Sequence, residues 1–309
     1  EGSYNGEIGQ FIDKLMEKNK KEVIDLGNNS TVLYLKDNHY IVGVSNDEKT
    51  SWRRILQVSR HPANGGMVKV YTRTGRTTTA TLSHSFLKRT VDGIKPIEGS
   101  KLKVGDRIPV ARYIPAMENP IEEITLGTIK RTTFTFDREF GWFIGAYLAD
   151  GSFGSGSIGI SKLEPEFEER IRAFGKRYGN TVSVKMEERI SPWHDDGRTY
   201  MTKTISLFNQ PLQKWMDINF GRGSYNKYIP AWVYGCSKEF IAGIVAGYFD
   251  GDGNVHISRN MIRAHSVCET LADDIAILMT YCGLFVKKQI EIRKREKANK
   301  FFVLHIQHK

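Results

Sequence analysis

Phe143-Ile144-Gly145-Ala146-Tyr147-Leu148-Ala149-Asp150-Gly151 and Val245-Ala246-Gly247-Tyr248-Phe249-Asp250-Gly251-Asp252-Gly253 carry one pattern twice. Gly141, Gly145, Ala149, Asp150 and Gly151 recur as Gly243, Gly247, Gly251, Asp252 and Gly253, each pair 102 positions apart. Small residues at i, i+4 and i+8 share one face of a helix. Glycine inside a helix costs roughly 1 kcal/mol relative to alanine, so such a stripe needs a compensating gain. Close approach of two helix backbones supplies one. Phe143, Ile144, Tyr147 and Leu148, and Ile244, Val245, Tyr248 and Phe249, then fill the flanking cores.

Each predicted helix ends in an acid followed by glycine, Asp150-Gly151 and Asp252-Gly253. Glycine is the usual residue past a helix end, but a carboxylate there opposes the helix dipole. Face-to-face packing also brings the two carboxylates together. Both placements are costly without a cation. Hard oxygen ligands favour magnesium, and paired ions can activate water and stabilise the leaving oxygen in phosphodiester cleavage. Asp150 and Asp252 are therefore read as catalytic metal ligands sharing two or more Mg2+ ions.

Outward from the motifs, the order of elements repeats. A helix at 163–179 matches one at 268–283, a strand at 181–189 matches 285–293, and a strand at 200–208 matches 300–307. A helix at 209–220 follows the first copy. The second stops at Lys309, before any such helix, so the natural protein is expected to continue. Along the strands Ser183, Lys185, Glu187 and Arg189 alternate with Val182, Val184 and Met186, and Tyr200, Thr202, Thr204 and Ser206 with Met201, Lys203, Ile205 and Leu207. Lys287, Gln289, Glu291 and Arg293 alternate with Val286, Ile290 and Ile292, Lys288 interrupting the apolar set. His305 and Gln307 alternate with Leu304 and Ile306. One face lies under helices while the other presents polar groups, and a two-stranded ribbon fits the major groove. Lys185, Arg189, Lys203, Lys287, Gln289, Arg293, His305 and Gln307 are the candidate DNA contacts.

The chain up to about residue 115 reads as β-rich. Two apolar runs across 31–45 flank Asp37-Asn38 as a hairpin. The runs 67–74 and 77–83 form a second hairpin around Gly75-Arg76, leading into His84. The segment 102–108 reads as a turn then a strand, and 5–19 as an amphipathic helix with Ile8, Phe11, Ile12, Leu15 and Met16 on one face.

The formal net charge of +10 over 309 residues, with a pI near 9.3, points to a polyanionic partner. Cys236, Cys268 and Cys282 have neither disulfide-scaffold nor zinc-site spacing. With no signal peptide and no membrane-length apolar run, an intracellular location and no membrane partner are expected.

The paired motifs resemble those of LAGLIDADG homing endonucleases. That resemblance implies a pseudo-twofold αββαββα architecture, cleavage of double-stranded DNA at long recognition sites, and a monomer with internal symmetry. It implies metal ligation by Asp150 and Asp252; the family's earlier aspartate is Leu148 in the first motif and Asp250 in the second. Asn226-Lys227-Tyr228-Ile229-Pro230 is similar to the Lys-x-Ile-Pro segment of intein endonucleases, which implies that Lys227 lies near the scissile phosphate. Thr81-Leu82-Ser83-His84 resembles intein block B, and Gly105-Asp106 the following strand of the Hint fold. His84 would then polarise the upstream splice-junction amide with support from Thr81. Position 1 is glutamate and the chain ends in Gln307-His308-Lys309, so the junction nucleophile and terminal His-Asn of the family are missing. The expectation is a mixed fold: a β-rich Hint-like domain over 1–115, a linker over 116–136, and an α+β endonuclease over 137–309 with repeats at about 137–222 and 238–309, the second without its last helix. Splicing from host-protein exteins is expected of the complete parent only. Two alternatives are a DNA-binding protein that has lost cleavage and a free-standing endonuclease.

Overall fold

The computed structural model describes residues 3–45, 47–63, 65–117, 119–129, 131–191, 197–293 and 299–307. The chain divides into two compact units, Tyr4–Pro115 and Ala116–Lys309, the second taking in Glu1–Ser3.

In the first unit, α1 (Ile8–Lys18) buries Leu15 and Met16 against Leu33 and Val58, with Phe11 and Ile12 at the margin and Ile8 exposed. Strands β1 (Ile24–Gly27), β2 (Ser30–Tyr34), β3 (Tyr40–Val44), β4 (Thr50–Arg54), β5 (Gln57–Arg60), β6 (Met67–Tyr71), β7 (Thr77–Thr81), β8 (Ser85–Thr90) and β9 (Gly93–Glu98) follow. The hairpin expected across 31–45 does not form: β2 pairs with β1 and β5, and β3 with β4. The turn that prevails is Asn28-Asn29, at φ 50° and 58°. Two positive φ values match the twist of paired strands, and asparagine tolerates them. The β6–β7 hairpin forms with Tyr71 opposite Thr77 and Gly75 at φ 83°. Segment 102–108 forms its turn, but no strand follows among the described residues; the Arg107 carbonyl accepts a hydrogen bond from the Arg89 amide.

In the second unit, β10 (Glu123–Leu126) and β11 (Thr132–Thr135) form a hairpin where the sequence suggested a linker. Phe134 is buried against Phe140, and Phe136 stacks on Trp232 and Phe240. This hairpin belongs to the core: alternating threonines and phenylalanines favour a half-buried strand.

Two copies of one motif come next. The first runs α2 (Arg138–Asp150), β12 (Gly151–Phe153), β13 (Ser157–Ser161), α3 (Pro165–Arg177), β14 (Thr181–Ile190), β15 (Thr199–Phe208), then α4 (Gln210–Phe220). The second runs α5 (Lys238–Asp252), β16 (Gly253–His256), β17 (Met261–Ser266), α6 (Glu269–Tyr281), β18 (Lys287–Arg293) and β19 (Asn299–Gln307). Both sheets are antiparallel with the same strand order, β12-β13-β15-β14 and β16-β17-β19-β18. The paired helices also start alike. Asp137 caps α2 by accepting from the Phe140 amide, and Ser237 caps α5 by accepting from Phe240. The unit is α+β, its core lying between helices and inner sheet faces. Among the described residues no helix is long and apolar enough to cross a membrane.

Candidate active site and nucleic-acid interface

Helices α2 and α5 pack backbone to backbone along the glycine stripe. A Cβ on Gly141 would lie 2.2 Å from the Phe240 carbonyl oxygen, and one on Gly145 2.1 Å from that of Ile244. On Gly243 and Gly247 it would lie 2.2 Å and 2.0 Å from the oxygens of Arg138 and Trp142. A backbone oxygen cannot swing aside, so any side chain here forces the helices apart. At the last pair, a Cβ on Gly251 would meet the Cβ of Ala149 at 2.3 Å, so the seam has room for one methyl.

This close seam carries Asp150 and Asp252 at its end. Burial pushes the Asp252 carboxyl up to about 7; the charge of Asp150 adds to the rise, while Lys162 and Lys227 oppose it. The Asp150 Oδ2 atom is buried and accepts no hydrogen bond among the described residues. The Lys162 ammonium lies 3.0 Å from it, outside hydrogen-bond geometry.

Each helix end is also met by an ammonium group. Lys227 is 3% exposed and donates to the carbonyls of Tyr147, Leu148 and Gly151 at 2.7, 3.2 and 2.9 Å. Lys162 donates to the Gly251 carbonyl at 2.6 Å. Cations at helix C-termini oppose the dipole and satisfy orphan carbonyls. Burial lowers the Lys227 ammonium to about 8, against the pull of Asp252 and Asp150. The Lys227 backbone is fixed by α6: the Asp274 carboxylate accepts from the Ile229 amide at 3.0 Å, and the Cys268 thiol donates to the Lys227 carbonyl. Asp250 points elsewhere, accepting from the Trp142 indole at 2.7 Å.

Lys162 was not singled out from sequence. The strand registers explain why. Ile160 lies opposite Gly151 and Ala264 opposite Gly253, so the counterpart of Lys162 is Ser266. The repeat does not flag a lysine that has no lysine partner. The second cation enters instead as Lys227, from the segment joining the copies.

The outward sheet faces gather most of the expected contacts. Lys185 and Arg189 share a face with Ser183, Glu187, Thr202 and Thr204, and both cations pair with Glu187. Lys287, Gln289 and Arg293 share one with Arg263, His265 and His305. Arg293 lies 4.3 Å from the centre of the Phe301 ring. His305 is 9% exposed, its Nε2 without a hydrogen bond among the described residues. The Gln307 side chain lies outside the described residues. Lys203 is a correction: it falls on the helix side of the sheet, between Ile205 and Met201. Its 7%-exposed side chain reaches Glu168 and the Glu164 carbonyl of the α3 start. Period-two alternation forces that placement. Lys288 is held likewise by Asp273 and Glu269 of α6.

In the first unit, Thr81 and His84 share one turn, the His84 amide donating to the Thr81 carbonyl at 3.0 Å. The His84 ring is exposed, edge-on to Phe86, and the Thr81 hydroxyl is 3.3 Å from that of Ser83. Asp106 accepts from the Lys103 amide and pairs with Lys88 at 2.6 Å; Lys88 and these hydrogen bonds hold its carboxyl below the usual range.

Residues 239–309 match the LAGLIDADG-like domain. The chain is 35% identical to DNA-directed RNA polymerase subunit Rpo1C of Methanocaldococcus jannaschii, over 98% of this chain and 35% of that protein. It is 23% identical to the replication factor C small subunit of the same organism, over 83% of this chain and 15% of that protein. The chain thus spans about a third or less of the length of these two relatives. Among solved structures, a transcription factor IIB Mvu mini-intein is 28% identical over 37% of this chain and 62% of its own, at a TM-score of 0.32. The homing endonuclease I-WcaI bound to its DNA recognition sequence is 15% identical over 55% and 75%, at a TM-score of 0.38.

Proposed function

We propose that the second unit is a site-specific endonuclease that binds double-stranded DNA across its two outward sheet faces and hydrolyses it at the end of the α2–α5 seam. One observation carries this reading: two carboxylates and two ammonium groups converge where paired helices end, with sheets of matching topology on either side. A divalent cation suits the pair. Asp150 presents a buried oxygen that accepts no hydrogen bond among the described residues and is paired with the Lys162 ammonium, and Asp252 belongs to the hard-oxygen class that magnesium and manganese prefer. Asp150 and Asp252 would hold such ions, which when bound supply Lewis acidity and an activated water. Lys162 stabilises negative charge developing on the phosphate, while Lys227, its three donors engaged by backbone carbonyls, adds positive potential at the helix end. The glycine seam fixes the spacing of the carboxylates.

The same segment matches an RNA polymerase subunit and a replication factor subunit, proteins of different activity, and covers a minor part of each. That distribution favours an element inserted into host proteins over a piece of either host activity. With the Thr81–His84 turn in a β-rich unit, it supports an intein as the parent element and host exteins as its partners. The test is incubation of the protein with a randomised plasmid library and Mg2+ or Mn2+. Cleavage at one enriched long site is expected. Intact plasmid after specific binding would favour a DNA-binding protein without nuclease activity.

A further inference from the structure

Glu187 and Glu291 are acids on the two faces that must meet a polyanion. They also occupy equivalent positions. Ser161 faces Thr204, which faces Lys185; at the matching points His265 faces Val303, which faces Gln289. Glu187 and Glu291 each lie two residues further along. Both stand next to last among the outward residues of an edge strand, between Lys185 and Arg189 in β14 and between Gln289 and Arg293 in β18.

We infer that Glu187 and Glu291 are cytosine-reading residues, one in each half of the DNA site; this rests on the DNA-binding role proposed above. A carboxylate facing phosphates raises the cost of docking, so its presence twice in register calls for a donor on the bases. An ionised carboxylate only accepts hydrogen bonds. In the major groove the cytosine base itself presents only its N4 amino group, whereas adenine sets N7 beside its own amino group on the same base and selects an amide instead. Glu187 is held in place by flanking cations, and Glu291 lies near one cation and one imidazole. Lys185 and Arg189 pair with the two oxygens of Glu187, the latter at 2.7 Å. Arg293 and His265 each lie 4.0 Å from Glu291. Glu187 is thereby kept ionised far below neutral pH. The side chains are 32% and 38% exposed, leaving oxygen surface for a base. Two residues along a strand span about 6.8 Å, or roughly two base-pair steps, so Arg189 and Arg293 can engage neighbouring bases at the same time.

The test is repeated selection of bound sequences from random duplex DNA, in Ca2+ to suppress cutting, with the full chain and its Glu187→Gln and Glu291→Gln variants. The parent should enrich a site with cytosine at mirrored positions on opposite strands of the two halves. Each variant should lose about ten-fold of that preference in its own half only, with a shift towards adenine. Both residues are half-buried at the sheet surface, and an unchanged thermal midpoint confirms folding. Enrichment of a site whose base preferences neither variant alters would overturn the inference and leave DNA binding standing. Failure of the parent to enrich any sequence would overturn both.

Discussion

The two copies share one topology yet differ at the points that matter for chemistry. In the first, the outward face is rich in hydroxyls and small residues: Ser152, Gly159, Ser161, Ser183, Thr202, Thr204 and Ser206. In the second, the equivalent surface carries Arg263, His265, Lys287, Arg293 and His305, with Phe301 and Val303 among them. At the helix ends, Lys162 belongs to the first copy while its counterpart in the second is Ser266, and Lys227 brings the other ammonium from outside the repeat. Ala149 faces Gly251 rather than another alanine. The two copies share one backbone topology; their side chains differ where two identical groups would collide, as at Ala149 and Gly251, and across the outward sheet faces.

The largest effect should come from the carboxylates. Asp150→Asn or Asp252→Asn should lower the cleavage rate by at least about a thousand-fold, since each removes a charge proposed to hold the metal. Filter binding in Ca2+ should stay within a few-fold of the parent. Residual cutting by either variant near the parental rate would assign the chemistry to one copy alone.

The seam comes next. Gly251→Ala sets two methyl carbons 2.3 Å apart and should destabilise the unit by about 2 kcal/mol, in the range of core overpacking. Adding Ala149→Gly should recover most of this, because it moves the single methyl to the other helix. Urea unfolding of the single and double variants measures both. Absence of rescue would show that the seam does not treat the two helices as equivalents.

Asp252 has a pH signature. Burial raises its folded pKa from the ordinary carboxyl range to about 7, so the folded state holds the extra proton between about pH 4 and pH 7. Stability from this group is therefore full below about pH 4 and declines as pH rises towards 7. Asp252→Asn should melt at a higher temperature than the parent at pH 8, and the difference should fade towards pH 4. Calorimetry across that range gives the sign directly. An Asn variant less stable than the parent at pH 8 would mean the ionised carboxylate is already compensated.

The smallest effect separates the two sides of one sheet. Lys185→Ala should reduce the slope of log affinity against log salt by about one. Lys203→Ala should leave that slope unchanged and lower stability instead, because its ammonium is engaged with α3. A reduced slope for Lys203→Ala would return it to the DNA face.

Much of the second unit was legible because its signals are local and repeated. Glycine stripes, the acid-glycine pairs that end the helices and period-two strands each state their own geometry. The failures have physical causes. Asn28-Asn29 outcompeted Asp37-Asn38 as a hairpin turn through its backbone angles, which residue type alone leaves open. The hairpin at 123–135 looked like a linker because its strands have four residues each and gain their burial from helices distant in sequence. Lys203 was misplaced where composition was weighed above parity. Lys162 was missed because no repeat partner marks it.

The sequence by itself determined that two small-residue helices would pair and end in carboxylates, since that pattern has few other low-energy solutions. It also determined which strand faces are polar. Only the tertiary structure decided how the charges at the seam are balanced. The ammonium groups of Lys162 and Lys227 come from unrelated positions in the chain, and only the close packing of α2 against α5 puts both within reach of the helix ends and their two acids.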